Sequence, residues 1–288
     1  MAPVRSLAPA KVNLFLHVGP PAADGYHPLA SLVAFADIGD EVTVERAERL
    51  SLTVTGPFGQ GLDDGGDNLI LKALRALGEA TGAGDPPVVV ALDKQLPIAA
   101  GLGGGSSDAG AALRGARDAL GLTLDDAALA EVAARVGADG PMCLYARAAW
   151  AEDRGDRLTF EPRLPPLPAV LINPGVPSPT GAVYRAFDER RAGAADRPDS
   201  PRDWRPSRVI DWLAMQRNDL EAPAVALQPL IDEALKEAAR LPGVRLVRMS
   251  GSGATVFALF DTVEAAAGAA GSLTLNRPEW WVRQTRLR

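Results

Sequence analysis

The sequence predicts an α+β protein of two domains, and three observations lead there. Period-2 and period-3.6 apolar patterns are mixed in both halves of the chain. Its 288 residues suit one large or two modest domains, and a proline-dense stretch, Pro162–Pro168, marks a boundary. The resulting division is residues 1–161 and residues 162–288.

The elements follow in order. In an extended Ala8–Leu16, Lys11 and Asn13 project to one face while Val12 and Leu14 take the other. Val42–Val44 and Leu50–Thr55 alternate like strands around a charged turn, Glu45–Arg49. Ile70, Ala73, Leu74 and Leu77 share a face of a helix from Asn68 to Thr81, with Asp67 as its cap. Val88–Leu92 reads as a buried strand. Gly101–Ser107 is glycine-rich, and a helix follows in which Ala109, Ala112, Leu113, Ala116 and Leu120 recur at helical spacing. Thr123–Asp126 resembles a capping box, and the helix it opens closes at Gly137 in a left-handed cap. Ala148–Glu152 and Arg157–Glu161 flank a hairpin turn.

Beyond the boundary come a strand (Ala169–Asn173), a Pro/Gly loop (Pro174–Gly181) and a polar, exposed insertion (Ala192–Pro206). A helix with Pro229 in its first turn runs to about Leu241. Strands at Val244–Met249 and Ala254–Phe260 are interrupted by Ser250–Gly253. A helix from Asp261 and a strand at Trp280–Thr285 end the pattern.

Composition excludes several function classes. With 47% hydrophobic and 23% charged residues, the chain can bury a core and is not disordered. One cysteine and two histidines exclude a disulfide framework and a Cys- or multi-His metal site. No apolar run reaches the roughly 18 residues of a membrane span, and the N-terminal apolar stretch is too short for a signal peptide. A soluble cytoplasmic protein is expected. A formal charge of −6 without a basic cluster argues against nucleic acid as a partner. Only four lysines occur, Lys11, Lys72, Lys94 and Lys236, so each merits inspection.

The strongest chemical signal is Pro97-Ile-Ala-Ala-Gly-Leu-Gly-Gly-Gly-Ser-Ser-Asp108. Its glycines let backbone approach a ligand, and the following helix N-terminus supplies N–H groups suited to phosphate. It is neither a Walker A loop nor a dinucleotide fingerprint. Lys11 beside Asn13 suits an oxygen-rich substrate, although a lysine there can also guard a strand edge. Asp139, in Gly137-Ala-Asp-Gly-Pro141, suits a proton acceptor, although such an aspartate more often caps a helix. The small residues of Met249–Ala254 permit close backbone approach to a ligand or to another segment. Asp24-Gly-Tyr-His27 sets an aromatic face beside an imidazole, as a planar base or a plain surface turn would need.

Taken together, PAKVNLFLHV, DGYHPL, PIAAGLGGGSSD, GADGP and MSGSGA resemble, in order and spacing, the GHMP-type small-molecule kinases. The resemblance covers nearly the whole chain. It implies an N-terminal domain like domain 2 of ribosomal protein S5 and a ferredoxin-like C-terminal domain. It implies ATP as phosphoryl donor, with its phosphates on Pro97, Ile98, Ala99, Ala100, Gly101, Leu102, Gly103, Gly104, Gly105, Ser106 and Ser107. Asp139 would take the proton of the acceptor hydroxyl and Lys11 would pair with it. Mg²⁺ is implied by the chemistry alone, since no carboxylate cluster announces its ligands.

PAKVNLFL with DGYH and GADGP narrows the resemblance to a branch whose acceptor is cytidine diphosphate methylerythritol. It is phosphorylated on its 2-hydroxyl in non-mevalonate isoprenoid precursor synthesis. Asn13, Tyr26, His27, Thr180, Tyr184, Gly251, Ser252 and Gly253 match the substrate side. Tyr26, His27 and Tyr184 favour an acceptor with a base over mevalonate-, homoserine- or sugar-like ones. Departures are Gly140, expected to loosen the turn carrying Asp139, and Ala99 and Ala100, expected to stiffen the loop entrance. Ala192–Pro206 is longer than the family pattern, and Trp280–Trp281 has no role in it.

Overall fold

The computed structural model describes residues 2–23, 25–62, 68–190 and 193–288. In chain order its elements are β1 (Val4–Val18), β2 (Leu29–Arg46), β3 (Ser51–Thr55), α1 (Leu69–Thr81), β4 (Val88–Asp93), α2 (Gly104–Leu120), α3 (Asp126–Ala134), α4 (Gly140–Tyr145), β5 (Ala149–Asp153) and β6 (Arg157–Phe160). There follow β7 (Leu167–Asn173), α5 (Thr180–Asp188), α6 (Pro206–Ala214), α7 (Glu221–Leu227), α8 (Leu230–Ala239), β8 (Val244–Met249), β9 (Val256–Phe260), α9 (Val263–Asn276) and β10 (Trp281–Leu287). The α+β class is as the sequence predicts.

These elements form two compact units, and neither is a sequence half. The first comprises Met1–Lys11, Ile38–Leu96 and Gly103–Ala146; the second comprises Val12–Asp37, Pro97–Leu102 and Arg147–Arg288. Strands β5 and β6, which the sequence places before its 161/162 boundary, therefore belong with the second unit.

In the first unit, β3 lies parallel to β4, and β4 runs antiparallel to Glu41–Arg46 of β2. The strands flanking the charged turn are thus separated by β4 rather than paired. Val42, Val44, Val90 and Leu92 meet Ile70, Leu74 and Leu77 of α1 and Ala112, Leu113 and Ala116 of α2 in one core. Each fully buried leucine or isoleucine there contributes about 1.5–3 kcal/mol. Asn68 caps α1, its side chain accepting from the Ile70 N–H; the expected cap, Asp67, lies outside the described residues. Asp125, not Thr123, caps α3, because its extended backbone lets the carboxylate accept from the Ala128 N–H. That helix ends at Ala134, and Gly137 keeps a negative φ, its carbonyl accepting instead from the Gly140 N–H.

In the second unit the antiparallel sheet order is β10-β7-β9-β8. Helices bridge β7 to β8 and β9 to β10, the connectivity of a ferredoxin-like fold. Leu29–Val33 of β2 pairs with β5, which forms the expected hairpin with β6. Strand β7 begins at Leu167, inside the proline-dense stretch. Pro168 stands opposite Arg286 of β10 but precedes the Ala169–Ile172 run that pairs with β9, so its missing N–H breaks no rung there. The Pro/Gly loop is shorter than predicted, because α5 starts at Thr180. Of the polar insertion, Ala192 lies outside the described residues, 193–205 has no helix or strand, and Pro206 opens α6 at its first turn.

Candidate active site

The first unit builds its polar centre on β1, α2 and α4. Lys11 Nζ donates to Asp139 Oδ2 at 2.9 Å. The lysine side chain is 9% exposed and the aspartate side chain 40%. Asp139 occupies the N-cap of α4 yet makes no capping hydrogen bond with its side chain, so the carboxylate serves Lys11 instead of its own helix. Burial opposes the charge on Lys11. The Asp139 carboxylate outweighs it, with a smaller contribution from Cys143, and holds the ammonium pKa above its ordinary value. The pair therefore sets a buried cation beside a partly exposed carboxylate.

Gly140 does not loosen this turn. A Cβ there would sit 2.2 Å from the Ala133 carbonyl oxygen, so the glycine lets α4 press against the end of α3.

The glycine-rich segment divides after Leu102, with Gly103–Ser107 in the first unit. Helix α2 starts inside the glycine run rather than after it: Gly103 is its left-handed N-cap, and Gly104, Gly105, Ser106 and Ser107 form its first turn. No side chain caps that end, so its N–H groups remain available to an anion. The Ser107 side chain is fully buried, its hydroxyl lying against the Cys143 thiol. The Lys11 stem packs on the same turn, 3.1 Å from where a Gly103 Cβ would stand.

The second unit holds Pro97, Ile98, Ala99, Ala100, Gly101 and Leu102. The Ala100 carbonyl accepts from Thr255 N and the Ala99 carbonyl from Ser178 N. Ala99 takes a φ of 49°, a left-handed conformation that costs a non-glycine residue about 1–2 kcal/mol, in keeping with a constrained loop entrance. Gly101 has a φ of 72°, and a Cβ on it would lie 2.3 Å from the Ser250 carbonyl oxygen. Gly101 thus permits close backbone approach to the MSGSGA segment.

Asn13 is buried, its side-chain amide donating to Ser31 Oγ at 2.8 Å and its backbone N–H to Ser250 Oγ at 3.2 Å. Gly251 lies beside it, a Cβ there falling 3.4 Å from Asn13 Oδ1. Thr180 Oγ1 is 2.9 Å from Ser252 Oγ, and Gly253 N–H donates to the Ser250 carbonyl. Tyr184 and Asp188, one turn apart on α5, both reach His27. The Tyr184 ring centroid is 5.1 Å from that of His27, and Asp188 Oδ1 is 3.2 Å from His27 Nε2. His27 Nδ1 is 2.9 Å from the Gly19 carbonyl oxygen, so both ring nitrogens are engaged within the protein. Exposed Tyr26 lies under the Arg154 guanidinium, 4.2 Å from its ring centroid. Asp24, which opens this turn, lies outside the described residues.

Sequence reasoning misses Ser31, Ser250 and Asp188, which hold Asn13 and His27 in place. It also misses Asp40 and Asp108, which grip Lys94 behind the glycine run. The scarcity of lysine is the one signal that points to that last group. Among the described residues no cluster of three His, Cys, Asp or Glu could hold a metal ion, and no helix is long and apolar enough to cross a membrane.

Comparison with known proteins agrees with these features. Residues 68–147 match the model for the N terminal domain of GHMP kinases, and residues 207–274 match GHMP kinases C terminal. The chain is 54% identical to a 4-diphosphocytidyl-2-C-methyl-D-erythritol kinase of Caulobacter vibrioides (strain NA1000 / CB15N), over 98% of both chains. It is 48% identical to the protein of that name from Dinoroseobacter shibae, over 99% of this chain and 96% of the other. A crystal structure of 4-(cytidine 5'-diphospho)-2C-methyl-D-erythritol kinase matches with a TM-score of 0.77 at 36% identity, covering 99% of both chains. A homoserine kinase from Cytophaga hutchinsonii shares the fold alone, with a TM-score of 0.72 at 19% identity over 99% of this chain and 95% of that one. The chain belongs to the GHMP kinases and, among them, to the 4-diphosphocytidyl-2-C-methyl-D-erythritol kinase family.

Proposed function

We propose that the protein is an ATP-dependent kinase of the cytoplasm. It phosphorylates the 2-hydroxyl of 4-diphosphocytidyl-2-C-methyl-D-erythritol, giving the 2-phosphate and ADP, a step of non-mevalonate isoprenoid precursor synthesis. The observation that carries the reading is the Lys11–Asp139 pair, packed on the uncapped first turn of α2.

In this reading Asp139 accepts the proton of the attacking hydroxyl. Lys11 steadies the oxygen as negative charge develops and keeps the Asp139 carboxylate oriented. Phosphoryl transfer passes through a loose transition state, so position and electrostatics supply most of the acceleration. The N–H groups at Gly104–Ser106 offer the triphosphate partial positive charge. The segment Pro97–Leu102 continues that loop. Asn13, Tyr26, His27, Thr180, Tyr184 and Gly251–Gly253 hold the cytidine diphosphate acceptor, Tyr184 offering its ring to the base.

The donor set fits a magnesium ion that arrives with the nucleotide. The Ser106 and Ser107 hydroxyls on the first turn of α2 are hard oxygen donors, and Mg²⁺ commonly takes most other ligands from phosphates and water. When bound, it neutralises charge on the phosphates.

The test is ADP release measured with 4-diphosphocytidyl-2-C-methyl-D-erythritol, mevalonate, homoserine and galactose as acceptors. Turnover with the cytidine compound alone supports the reading. Turnover with another acceptor, or none with any, refutes it.

A further inference from the structure

Behind the first turn of α2, the first unit buries three ionisable side chains. Lys94 follows directly on β4, its side chain 4% exposed, and donates to Asp40 Oδ2 at 2.5 Å and to Asp108 Oδ2 at 2.7 Å. Asp40, on β2, is fully buried, and its other oxygen accepts from the Gln95 and Leu96 N–H groups at 2.6 and 2.8 Å. One carboxylate therefore fixes three consecutive residues that lead into the glycine-rich segment. Asp108, on the second turn of α2, fixes the chain that leaves it.

The ammonium lies against the backbone of that segment. A Cβ on Gly104, the first residue of α2, would stand 3.0 Å from Lys94 Nζ and 3.7 Å from Asp40 Oδ2. A cation at a helix N-terminus is opposed by the helix dipole, and burying an ion pair costs several kcal/mol per ion unless geometry and hydrogen bonding are good. A network so costly to bury spans the two ends of one short segment, which points to a need for a fixed backbone shape.

We propose that Asp40, Lys94 and Asp108 are positioning residues that hold Gly103–Ser107 in the conformation that receives the nucleotide phosphates, without touching the nucleotide themselves. The proposal rests on the kinase reading only in taking this turn as the phosphate site; it is independent of the acceptor.

The test compares wild type with Lys94→Met, Asp108→Ala and Asp108→Asn. ADP binding with magnesium is measured by calorimetry, and the KM for each substrate is measured by turnover. Asparagine retains an oxygen to accept from Lys94, whereas alanine does not. Lys94→Met and Asp108→Ala are expected to weaken ADP binding about tenfold or more, leaving the acceptor KM within about twofold. Asp108→Asn is expected to recover most of the loss seen with alanine. ADP binding unchanged in a folded Lys94→Met, or a parallel rise in both KM values, would overturn the proposal. Should Lys94→Met fail to fold, the alanine and asparagine variants decide: equal ADP affinity in those two overturns it. Wild-type protein that binds ADP but does not phosphorylate the cytidine acceptor would refute the functional reading alone.

Discussion

The Lys11 ammonium stands 2.9 Å from Asp139 Oδ2, across 128 residues of sequence. The fold commits a buried lysine to a carboxylate that neither caps its helix nor retreats from solvent. The first two predictions follow from that contact.

Asp139→Asn keeps the size of the side chain and removes its proton affinity. Loss of a placed proton acceptor typically costs about 10²–10⁴ in rate, so kcat should fall by that factor with an unchanged melting profile. Near-normal turnover in a folded variant would remove Asp139 from the chemistry.

Lys11→Ala withdraws the cation while leaving the α2 backbone in place. Removing one stabilising donor of this kind typically costs about 10²–10³ in kcat. The KM for ATP should change little. A variant in which only that KM rises would make Lys11 a nucleotide contact.

Tyr184→Ala removes a ring that lies tilted against His27. Stacking of a base on an aromatic side chain is worth about 1–3 kcal/mol, so the acceptor KM should rise roughly fivefold to 150-fold. The ATP KM should hold, and initial-rate kinetics with each substrate varied in turn separates the two.

Asp108 should make stability fall as pH rises. Burial, opposed by Lys94 and reinforced by Asp40, pushes its carboxyl up to about 8, against about 3.9 in an unfolded chain. Between those values the native protein holds a proton that the unfolded chain has released, so unfolding is increasingly favoured across that window. The groups facing it are Lys94 and Asp40, with Cys143 of α4 nearby. The drop in Tm from pH 5 to pH 8.5 should be smaller in Asp108→Asn than in wild type; parallel curves would contradict the assignment.

Gly140→Ala should destabilise the protein by about 1–3 kcal/mol, the usual range for overpacking, because the new methyl meets the Ala133 carbonyl. Thermal unfolding measures it, and an unchanged Tm would show that the α3–α4 corner yields.

The parts of the site that recur as contiguous motifs are legible in the sequence: the glycine run, the strand with Lys11 and Asn13, and the turn with Asp139. Asp40, Lys94 and Asp108 are not, since 54 and 14 residues separate Lys94 from its partners and no local pattern joins them. Nor is the engagement of both His27 nitrogens, which depends on a carboxylate that α5 supplies from far along the chain. Helices α6 and α7 escape notice because Pro206 and Pro223 sit in their first turns, where proline fits a helix but reads as a break. The Thr123 cap fails because an aspartate two residues on, with extended backbone, competes for the same N–H groups.

Strand β10 closes back on β2: Leu287 pairs with Ala36, and Phe35 and Arg288 exchange both of their backbone hydrogen bonds. On the ribosome this rung cannot form until Arg288 itself has left the exit tunnel, long after β2 has been made. Strand β2 therefore waits with one edge open through most of synthesis. A chain cut before Leu287 would leave that edge unsatisfied however well the earlier segments had assembled.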